Sequence, residues 1–495
     1  MNFPRRTYSI QSASKLLMLL LITGLTGCLK VGPDYVRPDV QVYKDWNTQL
    51  SGSLETGGTD TRATLATWWT TFNDSKLSSL IERAAAGNLD LKKARARVRE
   101  ARARRGIAEA GLQPTVSFSG SPTWNNTIGY SGTNDANILS AENPTNLYSV
   151  NFDAAWELDI FGGVRRSVEA AEGDLQASEE DLRNVLVSLL SEVALNYVDV
   201  RVYQDRLAVA DSNLRSQSET CQLAQWRYEA GLSDELAVQQ ARYNLENTRS
   251  QIPVLRTGLE AAMNRIAVLL GAQPGEVHAE LEQQEPVPVP PPGVAVGVPA
   301  DLLRRRPDVR QAERQLAAET ARIGVATADL YPKFTLSGSI GLETLSMTNP
   351  SSGILTLTGG PTISWAVFKG GAIRQNIEVQ SALQEQALIK YEAVILTALE
   401  EVENALVAYA EVQKRRQSLS EAAQAAQKAV ELAQQKYEGG LTDFTNVLDA
   451  QRSLLSFQEQ LAESNGNVTA NLVRIYKALG GGWTPLANNA QEYGL

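Results

Sequence analysis

The chain is poor in the residues from which most enzymes and metal proteins are built. One histidine, His278, occurs in 495 residues, which by count alone excludes multi-histidine zinc sites and two-histidine metalloprotease motifs. Two cysteines, Cys28 and Cys221, imply no disulfide framework. Aromatics make up 6% of the chain, and the formal charge of −10 comes without any long basic block, which argues against a nucleic-acid surface. The apolar run Leu16 to Ile22 is seven residues, too short to span a bilayer as a helix. No nucleophile–base constellation and no nucleotide motif is recognisable, so the expectation is a non-enzyme with no catalytic residues, no cofactor and no metal site.

Helical pattern of unusual length is present instead. Between Val164 and Glu229 there is no proline and one glycine, Gly173. Leu186, Leu190, Val193, Tyr197 and Val200 fall on one face at alternating steps of four and three, a coiled-coil seam. A helix of that length would reach about 100 Å, too long for a compact domain, so its narrow stripe must pack on other long helices. The seam returns 209 residues later as Ile395, Leu399, Val402, Leu406 and Tyr409. Asp90, Ala94, Gly106, Leu112 and Pro114 likewise return at an offset of 218 as Asp308, Ala312, Gly324, Leu330 and Pro332. The chain is a tandem duplication. The fall from 218 to 209 lies between Pro114 and Trp156, which puts a nine-residue excess in the first strand loop.

Between helical stretches the period drops to two, the period of strands. Val116, Phe118, Pro122 and Trp124 alternate with serine and threonine, and Tyr148, Val150, Phe152, Ala154 and Trp156 alternate with mostly polar neighbours. In the second copy, Phe334, Leu336 and Ile340 form one such face. Leu355, Leu357, Ile363, Trp365 and Val367 form another, whose phase survives Gly359-Gly360-Pro361. Gly231 and Gly440 sit where a left-handed C-cap would end each long helix, ahead of Ser233-Asp234 and Thr442-Asp443. The expected organisation is a targeting segment over 1–27 and an extended arm over 28–67. A first repeat over 68–283 (helix, two strands, long helical hairpin) is joined by a Pro-rich linker, 284–299, to a second over 300–483, with a tail over 484–495. Cys221 and the acids Glu400, Glu401 and Glu403 read as helix-packing and solvated or lumenal residues. Arg304, Arg305 and Arg306 precede Pro307 at a helix start.

Each chain thus supplies four strands with one apolar face. Four strands cannot close a membrane barrel, for which about eight is the minimum, and a free strand edge in hydrocarbon leaves backbone groups unpaired. Several copies must pool their strands around a common, water-filled axis.

The N-terminal segment, Arg5, Arg6 and Lys15 followed by Leu16 to Ile22, runs into Leu25-Thr26-Gly27-Cys28, which resembles a bacterial lipobox. That resemblance implies lipid attachment at Cys28, and Leu29 in place of aspartate after it implies the outer membrane. Further motifs are Lys30-Val31-Gly32-Pro33-Asp34-Tyr35-Val36-Arg37-Pro38, Trp69-x-x-Phe72-x-Asp74, Trp156-Glu157-Leu158-Asp159-Ile160-Phe161-Gly162, Leu303-Arg304-Arg305-Arg306-Pro307-Asp308 and Ala478-Leu479-Gly480-Gly481-Gly482-Trp483. Together, over essentially the whole mature chain, they resemble the NodT-type lipoprotein branch of the TolC-like outer-membrane efflux proteins. The resemblance implies a mixed α/β membrane fold: a homotrimer whose twelve-stranded barrel in the outer membrane continues into a long α-helical barrel in the periplasm. It implies a periplasmic adaptor and an inner-membrane pump of the resistance-nodulation-division type as partners, and an exit duct for drugs or other toxic small molecules. On the same ground Gly231, Leu232, Ser233, Gly440, Leu441 and Thr442 would meet the adaptor, and Asp449, with Thr445 and Asn446, would line the periplasmic aperture. Thr442 stands where some relatives place a locking arginine. The remaining alternatives are a type I protein-secretion duct, a non-channel coiled-coil lipoprotein and a tethered enzyme. Conductance, strand content and neighbouring adaptor genes would separate them.

Overall fold

The computed structural model describes residues 30–48, 54–56, 65–125, 145–291, 294–299, 305–345 and 353–483. The targeting segment, Cys28, Arg304, the first strand loop (126–144) with its expected nine-residue excess, and the tail from residue 484 lie outside them. In chain order the elements are β1 (Leu54–Thr56), a 3₁₀ turn (Trp68–Phe72), α1 (Ser75–Gly87), α2 (Leu89–Ala110), β2 (Thr115–Asn125), β3 (Thr145–Leu158), α3 (Gly163–Glu229) and α4 (Glu235–Leu269). The second half comprises α5 (His278–Leu281), β4 (Val294–Val296), α6 (Pro307–Ala328), β5 (Lys333–Thr344), β6 (Ile354–Ser364), α7 (Ala372–Glu438) and α8 (Phe444–Ala478). The duplication is carried in helix lengths: 22 residues in α2 and α6, 67 in α3 and α7, 35 in α4 and α8. Among the described residues no helix is long and apolar enough to cross a membrane.

The chain divides into two units. The first takes the arm up to Pro38, Arg99–Gln176 and Arg314–Ile389. Its centre is one antiparallel sheet of order β2-β3-β5-β6, so the hairpin of each repeat pairs with the other through β3 and β5. The alternation fixes the faces. Phe118, Phe152, Ile340 and Leu357 form one row across the sheet, and Ser117, Asp153, Ser339 and Thr358 the next. Pro122 and Pro361 lie on β2 and β6, the two outer strands, where a missing N–H interrupts no internal ladder. The arm is tied down by Arg166, which is 1% exposed. Its guanidinium donates to the carbonyls of Val31 and Gly32 at 3.0 Å each and to Asp34 at 2.8 Å.

The second unit takes Asp39–Val98, Ala177–Glu313 and Lys390–Leu495. Its core includes Trp68, fully buried, stacked on Tyr476 at 5.5 Å and meeting Trp69 and Phe72 edge-on. Asp74 caps α1 through Leu77 N–H at 2.9 Å and accepts the Tyr197 hydroxyl with its other oxygen at 2.7 Å. Arg201, also fully buried, donates to the Tyr197 oxygen, the Gln204 amide oxygen, the Gln283 carbonyl and Glu285 at 2.7–3.0 Å. The start of the Pro-rich linker is thereby pinned to the long helix α3.

Three local expectations are revised. The fourth strand stops at Ser364, so Trp365 and Val367 lie beyond it; the Trp365 indole instead donates to Leu330 carbonyl at 3.0 Å, as Trp156 does to Leu112. The arm and linker are not featureless, since β1 and β4 pair in parallel from Leu54↔Val294 to Thr56↔Val296. Glu403, expected on a solvated face, is half-buried and bound within the protein, whereas Glu401 is exposed as expected and has a partner there. Glu401 meets Arg306 at 2.6 Å, and Glu403 accepts from Asn47 N–H at 2.7 Å and from Thr48 N–H and hydroxyl at 3.1 and 2.6 Å.

Candidate functional site

The four strands of the sheet have 11, 14, 12 and 11 residues, matching or exceeding the 9–11 that a tilted membrane-crossing strand needs. Their apolar face is open to solvent in the single chain: Val116 is 70% exposed, Trp124 71% and Leu357 79%. A contiguous apolar surface of this kind marks a face that belongs against lipid or another protein. The opposite face carries Ser119, Asn151 and Thr356 in one row and Ser121, Ser149 and Glu343 in another. A sheet so divided, if closed, has a lipid-facing outside and a wet inside.

The predicted tip residues are in the second unit, at the turns between α3 and α4 and between α7 and α8. Both turns close as glycine C-caps. Gly231 has φ +72° and Gly440 φ +71°, with Leu232 N–H reaching Arg227 carbonyl and Leu441 N–H reaching Lys436 carbonyl, each at 2.8 Å. The turns expose Leu232 and Leu441, at 70% and 79%. The two turns differ in how the next helix starts. Asp234 caps α4 through Ala237 N–H at 3.0 Å, whereas Asp443 makes no side-chain cap on α8. There the Asn446 amide donates to the Thr442 hydroxyl at 2.8 Å.

Behind the turns the two hairpins share a cluster in which Ala224, Ala237, Val238 and Ala241 of the first meet Tyr437, Phe444, Val447 and Leu448 of the second. Tyr437 and Phe444 rings lie 5.0 Å apart, the Arg227 guanidinium sits 4.5 Å over Tyr437, and Cys221 packs at the edge of the cluster. Further along the seam becomes polar: the Gln451 amide donates to Thr220 and the Asn213 amide to Gln458, both at 2.8 Å. These amides are legible in the sequence as polar residues at seam spacing, but their partners lie in the other repeat.

Asp449, Thr445 and Asn446 lie on the exposed side of α8. Asp449 is paired one turn on with Arg452 at 2.5 Å, both side chains being about half exposed or more. Sequence reasoning misses that partner, although its i, i+3 spacing is available. The carboxylate is therefore partly neutralised on its own helix.

Comparison with known proteins bears on this geometry. The family model for outer membrane efflux proteins matches residues 80–272 and 298–481. The two segments begin 218 and end 209 residues apart, the same offsets as the repeats. Nodulation protein T of Rhizobium leguminosarum bv. trifolii is 33% identical over 472 residues, 94% of this chain and 96% of that protein. The cation efflux system protein CusC of Escherichia coli K12 is 30% identical over 486 residues, 95% of this chain and all of that protein. Among solved structures, the outer-membrane channel OprN superposes with a TM-score of 0.84 at 36% identity, covering 92% of this chain and all of that one. A divided sheet, paired long hairpins and relatives of matching length all lead to one place: the protein belongs to the outer membrane efflux protein family and is an outer-membrane exit channel for efflux.

Proposed function

We propose that three copies of the chain pool their sheets into a twelve-stranded barrel and their long helices into a periplasmic tunnel. That assembly is the outer-membrane stage of a tripartite pump. The observation that carries this reading is the sheet itself, membrane-length and apolar on one face, with two outer strands, β2 and β6, whose outer edges have no partner among the described residues. An open edge in hydrocarbon is too costly to persist, so the edges must meet further strands. Energy comes from an inner-membrane pump of the resistance-nodulation-division type, reached through a periplasmic adaptor, and the chain does no chemistry of its own. Cargo is small and toxic rather than macromolecular, in keeping with relatives named for cation and toluene efflux.

Within that frame Cys28 carries the lipid that tethers the chain to the outer membrane. The exposed turns at Gly231-Leu232-Ser233 and Gly440-Leu441-Thr442 present Leu232 and Leu441 to the adaptor. Asp449, flanked by Thr445 and Asn446, rings the aperture. Its charge is offset by Arg452 on the same helix, which moderates repulsion among three copies and leaves a weak cation site.

Purified trimer in planar bilayers tests the reading. It should conduct, and a gene deletion should raise sensitivity to a panel of toxic compounds. Arg452→Ala should strengthen block by divalent cations from the periplasmic side, and Asp449→Asn should abolish that block. A chain that inserts but never conducts would end the duct reading, and equal block in both variants would remove Asp449 from the aperture.

A further inference from the structure

In the first unit two adjoining cavities share Ile107, Ala108, Ser167, Val325 and Asp329, and so form one trough. The duplication is visible in its lining. Ile107 and Val325 are counterparts at an offset of 218, as are Arg104 and Arg322; Ser167 and Asn376 are counterparts at 209, as are Ala171 and Gln380. The helices α2, α3, α6 and α7 therefore turn equivalent faces to the trough, as repeats arranged about one axis do. The arm lies on the other side. Arg166 and Glu169 hold it through Val31, Gly32 and Lys30, and at about 100° per residue they stand roughly half a turn round α3 from Ser167 and Ala171. That arm leads back to Cys28, so in the duct proposed above its side faces outward and the trough faces the lumen.

At the foot of the sheet the trough deepens into a cavity of about 420 Å³, enough for a small organic molecule. Much of its wall is apolar: Ile107, Leu158, Ile160, Phe161, Val164 and Val325. The Phe161 ring is held by stacking on Tyr331 at 4.6 Å. Charge singles out one further residue. Asp159 accepts from Val164 and Arg165 N–H and pairs with the Arg165 side chain, and Asp329 pairs with Lys333 at 3.3 Å. In the rest of the trough Arg104 pairs with Glu100 at 2.7 Å and Asp174 with Arg322 at 2.5 Å. Of the charged groups lining the two cavities, Glu157 alone has no hydrogen-bond or ion-pair partner among the described residues. It is half-buried, opposite Thr335 on the same polar face of the sheet as Asp153. A carboxylate in a partly dry, apolar recess attracts a cation more strongly than one in open water.

We propose that this cavity is a station in the duct wall for a small organic cation with an apolar body. The ammonium group pairs with Glu157, and the body lies against Ile107, Phe161 and Val325. The assignment rests on the duct reading above. It gives one station per chain, because the second-repeat counterpart of Glu157 is Ala366. A hard metal ion, which takes six or more oxygen ligands, is poorly served by one free carboxylate. An organic cation needs only that one charge and gains the apolar wall as well. Cargo of this class dwells at the foot of the barrel before it leaves.

Isothermal titration of the full-length protein in detergent with three probes tests the station. Benzyltrimethylammonium carries both features, tetramethylammonium the charge alone and benzyl alcohol the apolar body alone. The first should bind once per chain, about tenfold more tightly than either of the others. Glu157→Gln should weaken benzyltrimethylammonium about tenfold and leave benzyl alcohol unchanged. Ile107→Ser should weaken both benzyl compounds and spare tetramethylammonium. In planar bilayers benzyltrimethylammonium should reduce the wild-type current at concentrations that leave Glu157→Gln open. A protein that conducts yet binds the three probes alike, or binds them equally in wild type and Glu157→Gln, overturns the station and leaves the duct standing. One that binds benzyltrimethylammonium but never conducts overturns the duct, and with it the station's part in passage. Should Glu157→Gln fail to fold, the probe series on wild type and Ile107→Ser decides.

Discussion

The two repeats share a backbone plan and divide its labour. Helix lengths agree residue for residue, yet at several positions a side chain of the first repeat holds a partner that its counterpart in the second does not, although Arg306, buried in the second repeat, shows the reverse. Arg201, fully buried on α3, pins the linker through Gln283 and Glu285; its counterpart 209 residues on is Ala410, which can pin nothing. Arg166 holds the arm, and its counterpart is the exposed Gln375. Asp234 caps its helix and Asp443 does not. Repeated apolar positions were enough to repeat the helices, whereas buried cations were kept only where a segment of the same chain had to be fixed.

The largest effect should come from making the first repeat resemble the second at its tightest latch. Arg201→Ala removes a fully buried guanidinium and its hydrogen bonds to Tyr197, Gln204, the Gln283 carbonyl and Glu285, although Glu285 keeps Lys76 at 2.7 Å. It should cost about 2 kcal/mol, chiefly from buried acceptors left unsatisfied. The thermal unfolding midpoint of the protein should fall accordingly, and limited proteolysis should open the linker near Gln283 first. Gln375→Ala, the change in the second repeat nearest to losing Arg166, should leave subunit folding within about 0.5 kcal/mol. Equal losses from the two would erase the distinction between the halves.

Much of this architecture is legible in the sequence. Helices, strands and turns follow from period and from glycine or proline at their ends, and Pro114 and Pro332 stop two helices in register. The latches are not legible, because their members lie far apart in sequence: 123 residues from Asp74 to Tyr197 and 84 from Arg201 to Glu285. The ribbon of β1 and β4 escapes for another reason, since three residues cannot display a period. Asp449, proposed for the aperture, stands out by its place in the motif. Arg452 does not, because an exposed pair leaves no mark on hydrophobic pattern.

A middle-sized effect separates the turns. Asp234→Ala removes a helix cap and should cost about 1 kcal/mol locally, seen as faster amide exchange at Ala237. Asp443→Ala removes no such bond, so exchange at the start of α8 should hardly change. Asn446→Ala is the better lesion there, because it breaks the contact with Thr442 that stands in for the cap. Were Asp443→Ala to loosen its turn as much as Asp234→Ala, the two turns would be held alike after all.

The smallest effect concerns Glu459, which has Ser250 as its first-repeat counterpart. Burial pushes the Glu459 carboxyl above its ordinary value of 4.5; Arg206 pulls it down and Glu463 pushes it up again. Its Oε1 is buried with no hydrogen-bond partner among the described residues. A carboxyl raised in the folded state favours the folded, protonated form. That contribution is fully present below pH 4.5 and is lost as pH rises through the raised value. At neutral pH the ionised group is a liability that Ser250 never imposes on the first repeat. Glu459→Gln should therefore raise the thermal midpoint at pH 7, by less than about 1 kcal/mol after solvent screening, and change little at pH 4. Midpoints for wild type and variant measured across that range should converge toward acid; a gap that widened toward acid would reverse the sign and place a stabilising charge at Glu459.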